Sequence, residues 1–252
     1  MTLDPQSPPA LHIAQVYRAY ACLVQFAQSQ ETLGGQLLYT GELNPAASHL
    51  IRAANIAGAA SLAASASAAV LRQALHQGAI DILVNSLDEA LRILKNEIRK
   101  RQPVSVGVAA DPTQLADQML DRGVLPDILP SGKGLNPEQQ ARFVNQRSRQ
   151  IVAAAYPSGS QFVIWQIDRD FARWLPRLDE CAKAALPSED HMRPRWLRLA
   201  PRYLGRLAQR QRGVVLNVEE FAKFQVLVNQ QLAQVTPEAG ETPKVTIEKI
   251  DF

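Results

Sequence analysis

The sequence predicts an α/β fold: a mostly parallel, doubly wound sheet with an N-terminal helix and a helical, arginine-rich C-terminal extension. Three observations predict it. Short apolar or β-branched runs alternate five times with helix-length segments between Gln36 and Asp168. Several of the helical segments open on a capping residue followed by proline, at Asn44-Pro45, Asp111-Pro112 and Asn136-Pro137. After Asp168 the alternation gives way to proline-interrupted helical sequence rich in Arg and Trp.

Residues 1–9 are rich in Pro and Ser and read as disordered or extended. From Ala10 to about Gln30 apolar residues recur at helical spacing, which predicts an amphipathic helix ended by Leu33-Gly34-Gly35. Gln36–Tyr39 reads as the first strand and Gly41 as a tight turn. Asn44 caps the next helix, and Pro45 at its first position loses nothing because that N–H has no helical partner anyway. Its apolar residues face most directions, so it is expected to be buried, with Gly58 ending it. A small-residue strand near Ser61–Ser65 lets a helix approach closely, and a helix near Val70–Gln77 follows. Such a strand–turn–helix–strand unit opens dinucleotide-binding folds.

Ser86 and Glu89 form a capping-box pattern for the helix LDEALRILKNEIRKR, which is acidic early and basic late, as the helix dipole favours. Pro103–Ala110 reads as a buried parallel strand, Pro112–Gly123 as a helix and Leu125–Leu129 as a short strand. Asn136-Pro137 starts a helix expected to reach about Ala155, and Gln161–Asp168 is a strand rich in β-branched and aromatic residues. Right-handed crossovers place the strand carboxyl ends on one edge, so a ligand site is expected at Thr40–Asn44, Ser65–Ser67, Ala109–Asp111 and Pro130–Asn136. Pro201–Arg212 and Asn217 to about Val235 read as further helices, residues 236–244 as a linker, and VTIEKIDF as an edge strand for this chain or a partner. The expected domains are therefore 1–9, 10–168, 169–235 and 236–252.

Among 252 residues, 46% are hydrophobic and 20% charged, which suits a soluble globular protein. No run reaches the roughly 18 apolar residues of a membrane span, and MTLDPQSPPALHIAQ lacks the basic n-region of a secretory signal. Cys22 and Cys181 lie far apart without metal-type spacing and read as reduced thiols, which points to the cytoplasm. The net charge of +3 is uneven. Residues 169–212 hold eleven Lys/Arg and five Asp/Glu, a net of +6, so the remainder nets −3.

The stretches LGGQLLYTG, AANIAGAASLA, SLDEALRILKNE, PVSVGV and RGVLPD resemble the NAD-binding domain of urocanase (urocanate hydratase), in that family's order and near its spacing. The resemblance covers roughly residues 12–130 and implies a Rossmann-like domain, NAD as cofactor, a hydratase (lyase) activity and a dimer. The chain departs from the family where the cofactor is touched. The family's glycine run, GLGGMGG in type, is here Gly41-Glu42-Leu43-Asn44-Pro45-Ala46-Ala47. Only the first glycine remains, Pro45 removes one backbone donor, and Glu42 sets a negative charge beside the expected pyrophosphate. Ser65 stands where the family has an acid suited to ribose, Val70 where it has an arginine, and Asp111 where it has an asparagine. The family's ligand loop with its Asp-Gln pair is replaced by Pro130-Ser131-Gly132-Lys133-Gly134, and the catalytic segments around the domain have no counterpart.

Three functions follow. The first is a urocanase-like Rossmann module without hydratase activity, binding a small anionic ligand or a protein partner; no catalytic residue is assigned. Its pocket residues are Gly41, Glu42, Asn44, Ser65, Asp111 and Lys133. The Gly41–Ala47 turn reads equally as an ordinary βα turn, and Lys133 as part of a surface loop that lacks the Walker spacing. The second is an NAD-dependent enzyme with a modified cofactor site. The third is binding of nucleic acid or an acidic partner through Arg202, Arg206 and Arg210, four apart on a predicted helix. The plainer reading of those arginines is a solvated face, or pairing with acids of the same chain or of a second copy. None of His12, His49, His76 and His191 forms a metal-type pair, so no metal site is expected.

Overall fold

The computed structural model describes residues 9–27, 32–130, 134–154, 156, 159–234 and 244–250. They fall into two compact units, one within 18–154 and one within 7–17 and 155–252. The predicted N-terminal helix is α1 (Pro9–Ala27), whose residues up to Tyr17 count with the second unit. Of residues 1–9, expected to be disordered or extended, Pro9 instead opens α1, and 1–8, like most of the 236–244 linker, lie outside the described residues.

The first unit is the predicted α/β fold. Its strands are β1 (Leu37–Glu42), β2 (Ala60–Ala64), β3 (Ile82–Val84), β4 (Ser105–Val108), β5 (Ile128–Leu129) and β6 (Arg149–Gln150). They pair in the order β3-β4-β2-β1-β5-β6, every pairing parallel. Helices α2 (Pro45–Ala57), α3 (Ala68–His76), α4 (Leu87–Arg99), α5 (Pro112–Asp121) and α6 (Pro137–Asn145) connect them. Because side chains alternate along a strand, the sheet feeds two cores. Leu37, Tyr39, Leu62, Val106 and Val108 pack with Leu91, Leu94, Met119 and Phe143 of α4, α5 and α6. On the other face Ala63 packs with Ile51 of α2 and with Leu71 and Ala74 of α3.

The caps form as their residue types dictate. Asn44 Oδ1 accepts the Ala47 N–H at 2.9 Å, and Gly58 ends α2 in the left-handed conformation (φ 101). Asp111 accepts from Thr113 and Gln114, and Asn136 accepts from Glu138. Ser86 accepts from Glu89, while the Glu89 carboxylate accepts from Asn85, one residue earlier than an ideal capping box has it. At the opposite edge Ser105 Oγ donates to Asp81 at 2.6 Å and accepts from Asn55, a partly buried polar knot that ties β4 to α2.

The second unit differs from expectation. Gln161–Asp168 does not join the parallel sheet. Strand β7 (Gln161–Ile167) is the centre of an antiparallel sheet ordered β8-β7-β9, with β8 (Gln211–Leu216) and β9 (Val245–Ile250). Its run QFVIWQI fits either sheet type, and only the partners, 211–216 and 245–250, decide which forms. The tail strand thus pairs within this chain. Helices α7 (Leu175–Ala185), α8 (Met192–Leu204) and α9 (Val218–Ala233) complete the unit. Phe162, Trp165, Trp196 and Phe224 are its largest buried side chains.

Two helix expectations are corrected. The helix from Pro137 ends at Asn145, not near Ala155, because Arg147 turns the chain at φ 81 and Ser148 N–H returns to Phe143 O. That turn releases the short strand β6. The helix expected over Pro201–Arg212 begins at Met192 instead, carries Pro201 inside, and stops where Gly205 takes φ 54. Short strands β3 and β6 went unread, since two or three residues carry no periodicity. Among the described residues no helix is long and apolar enough to cross a membrane.

Candidate functional site

The sheet order reverses between β1 and β5: β1 leads to β2 on one side, whereas β5, on its other side, is reached from β4. In open parallel sheets a ligand crevice forms above such a point, at the strand carboxyl ends. The predicted pocket residues Gly41, Glu42 and Ser65 do stand at the ends of β1 and β2. What lies over them was not anticipated.

Gly41 adopts φ 71, and a Cβ there would stand 1.8 Å from the Gly134 carbonyl oxygen. The reverse holds as well: a Cβ on Gly134 would stand 2.6 Å from the Thr40 oxygen. Two glycines therefore let the backbone at Gly134 lie directly on the irregular end of β1, and Glu42 N–H donates to Gly134 O at 3.1 Å. Two of the donors that follow are also taken. Leu43 N–H goes to Ala64 O at 2.8 Å, Ala47 N–H to Asn44 Oδ1, and Pro45 has none.

The side chains are similarly engaged. Ser65, buried, donates to Glu42 Oε1 at 3.0 Å and accepts the Ser67 N–H at 3.3 Å. The Glu42 carboxylate thus bridges the ends of β1 and β2. Asn44 and Asp111 cap α2 and α5 with their side-chain oxygens. Tyr39 donates to Pro112 O at 3.1 Å, and its phenol is pushed well above the ordinary range by burial, then by the Asp111 and Glu42 charges. Lys133, with Ser131 and Gly132, lies outside the described residues. Sequence reasoning named the Pro130–Gly134 loop but missed that Gly134 meets Gly41. A second glycine after the neighbouring strand was the available signal.

The arginine stripe is overturned as a single helical face. Arg202 lies in the last turn of α8, Arg206 in the short 3-10 helix Gly205–Ala208, and Arg210 in the bend before β8. The stretch instead divides by partner. Arg193 forms a two-pronged pair with Glu220 (2.6 and 2.8 Å) and also meets Asp190. Burial pulls its pKa down, but the two carboxylates outweigh that and raise it. Arg212 Nε lies 3.3 Å from Asp179, whose carboxyl is pushed up to about 6 by burial against the opposing pull of Arg212. Cys181 is buried with its thiol pKa raised by burial, so it makes a poor nucleophile. Among the described residues no group of three or more His, Cys, Asp or Glu could hold a metal ion.

Residues 16–132 match the family described as the urocanase Rossmann-like domain. The match takes in β1 to β5 and ends in the loop that carries Lys133 and Gly134. This segment is a urocanase-type Rossmann-like domain, as its five quoted stretches imply.

Proposed function

We propose that the urocanase-type Rossmann-like domain of residues 16–132 works here as a protein-interaction module without hydratase activity, its dinucleotide crevice closed by the chain's own backbone. One observation carries this reading: the Gly134 carbonyl occupies the space over Gly41, where a dinucleotide-binding turn admits a pyrophosphate. Competition for donors supports it. An anion at a helix start is held by free N–H groups. Here those of Glu42, Leu43 and Ala47 are committed to protein acceptors, and Pro45 lacks one. At the place of the family's ribose acid, Ser65 donates to Glu42. Neither the shape nor the charge of the turn fits NAD, so no step through that cofactor is derived.

Thermal unfolding in the presence of NAD tests the reading. A ligand at a hundred times its Kd would stabilise the folded state by about 2.7 kcal/mol. The expected result is no change in Tm up to millimolar NAD, and no loss of urocanate absorbance on incubation with the protein. A saturable rise in Tm, or urocanate turnover, would overturn the proposal. The Gly41→Ala variant should lose about 2–4 kcal/mol, from a left-handed non-glycine residue pressed onto a backbone carbonyl. A loss below about 1 kcal/mol would show that the Gly134 contact is not what fills the crevice.

A further inference from the structure

Six of the seven arginines of residues 191–218 fall into two groups, one held by carboxylates of the fold and one turned to solvent. Arg193 and Arg212 are largely buried against Glu220, Asp190 and Asp179. Arg198, Arg202, Arg206 and Arg210 are exposed, and none has a carboxylate partner among the described residues. No acid occurs between His191 and Val218 to neutralise them. Arg198 and Arg202 stand four apart on α8, about 6 Å along its axis, on the side away from buried Trp196, Leu197, Ala200 and Leu204. Like charges at that spacing cost the helix a few tenths of a kcal/mol. Arg206, in the 3-10 helix Gly205–Ala208, and Arg210, in the bend before β8, follow them in the chain and are exposed as well.

We propose that these four arginines form a surface for the phosphate backbone of a nucleic-acid duplex, read without base contacts. Every cation in 191–218 is arginine and none is lysine. The guanidinium fork engages phosphate oxygens in pairs and is less tightly hydrated than an ammonium. Tyr203, the aromatic beside Arg202 in the chain, lies half-buried under its guanidinium at 5.3 Å, so this ring is not open for a base to stack on. The surface therefore suits paired strands, which present phosphates and keep their bases stacked. This inference uses none of the crevice residues, and it stands or falls apart from the NAD reading.

Fluorescence anisotropy of the full chain with a labelled 20-base-pair mixed-sequence DNA duplex tests it. Four phosphate contacts at ~0.9 each give a log–log salt slope of about −3.6, so affinity should fall about 150-fold between 50 and 200 mM salt. Each single Arg→Ala change at 198, 202, 206 or 210 should flatten the slope by about 0.9. The fourfold variant should lose binding while keeping its Tm, because all four side chains are exposed; if it fails to fold, the single variants decide. Arg92→Ala, an exposed arginine of the other unit, should bind as the parent does. Absence of binding at 50 mM salt, unchanged binding by the fourfold or single variants, or displacement of the duplex by polyglutamate at equal charge would overturn the proposal. The last result would assign the surface to an acidic protein.

Discussion

The two sheets of this chain are held by different means. The inner strands β1, β2 and β4 of the parallel sheet are buried, with apolar cores on both faces, and the sheet's polar groups serve mainly at its rims, as helix caps and as the Asp81–Ser105–Asn55 knot. The antiparallel sheet of β7 to β9 has three strands among the described residues, and beside its aromatic core it relies on charge. Arg193 joins α8 to Glu220 at the start of α9 and to the Val215 carbonyl of β8. Arg212 joins β8 to Asp179 of α7. A large sheet can be held by surface removed from water, whereas a small one with less area to bury gains from directional links between its pieces.

Glu220 is where that difference should be largest. Its carboxylate accepts two Arg193 donors and the Asn217 N–H while buried. Glu220→Ala leaves a partly buried guanidinium with Asp190 as its one carboxylate among the described residues, beside the Val215 carbonyl, and truncating one partner of a buried pair costs about 3–5 kcal/mol. All three tryptophans (165, 174 and 196) belong to the second unit, so tryptophan fluorescence reports on that unit. Urea unfolding followed by fluorescence should show this loss in full, with a smaller shift in the far-ultraviolet dichroism that both units share. Equal shifts by both probes would break the comparison.

Asp179 gives the next largest effect, and its sign is diagnostic. Its folded pKa is about 6, raised by burial above the ordinary 3.8. The folded state therefore holds the proton more tightly than the unfolded chain does. The resulting stability is complete below about pH 4 and is lost as the pH rises through about 6. Across that window the stability of the parent relative to Asp179→Asn should fall, by roughly 3 kcal/mol at most. A relative stability that rose with pH would mean that Arg212, not burial, governs this carboxylate.

The same contrast explains what could be read from the sequence. The frame of the first unit was legible because its signals are local. Asn44-Pro45, Asp111-Pro112, Asn136-Pro137 and Ser86 with Glu89 each announce a helix within four residues, and each helix starts there. Strand β7 was legible as a strand but not as a member of its sheet, because its partners are 211–216 and 245–250. The Arg202, Arg206, Arg210 stripe does not form because Pro201, a residue that suits a helix start, lies inside a helix begun at Met192 and ended at Gly205. The glycines of the candidate site show the same limit. Gly41 was visible as the remnant of a cofactor turn, but its contact with Gly134 depends on β5 lying next to β1. No short window of sequence states that neighbour.

If the units differ only in their long-range links, then equal local devices should have equal worth in both. Asn44 and Asn217 provide the pair. Each caps its helix by accepting one N–H at 2.9 Å, from Ala47 in the first unit and from Glu220 in the second. Replacing a cap asparagine by alanine costs about 1 kcal/mol. Asn44→Ala and Asn217→Ala should therefore match within about 0.5 kcal/mol, although Glu220, one turn from Asn217, is worth several times more. The backbone N–H of residue 217 still donates to Glu220 after the change, so the Arg193 pair is left in place. A loss at Asn217 approaching that at Glu220 would mean that the cap and the ion pair form one cooperative network, and that even local signals in the small sheet draw their strength from distant partners.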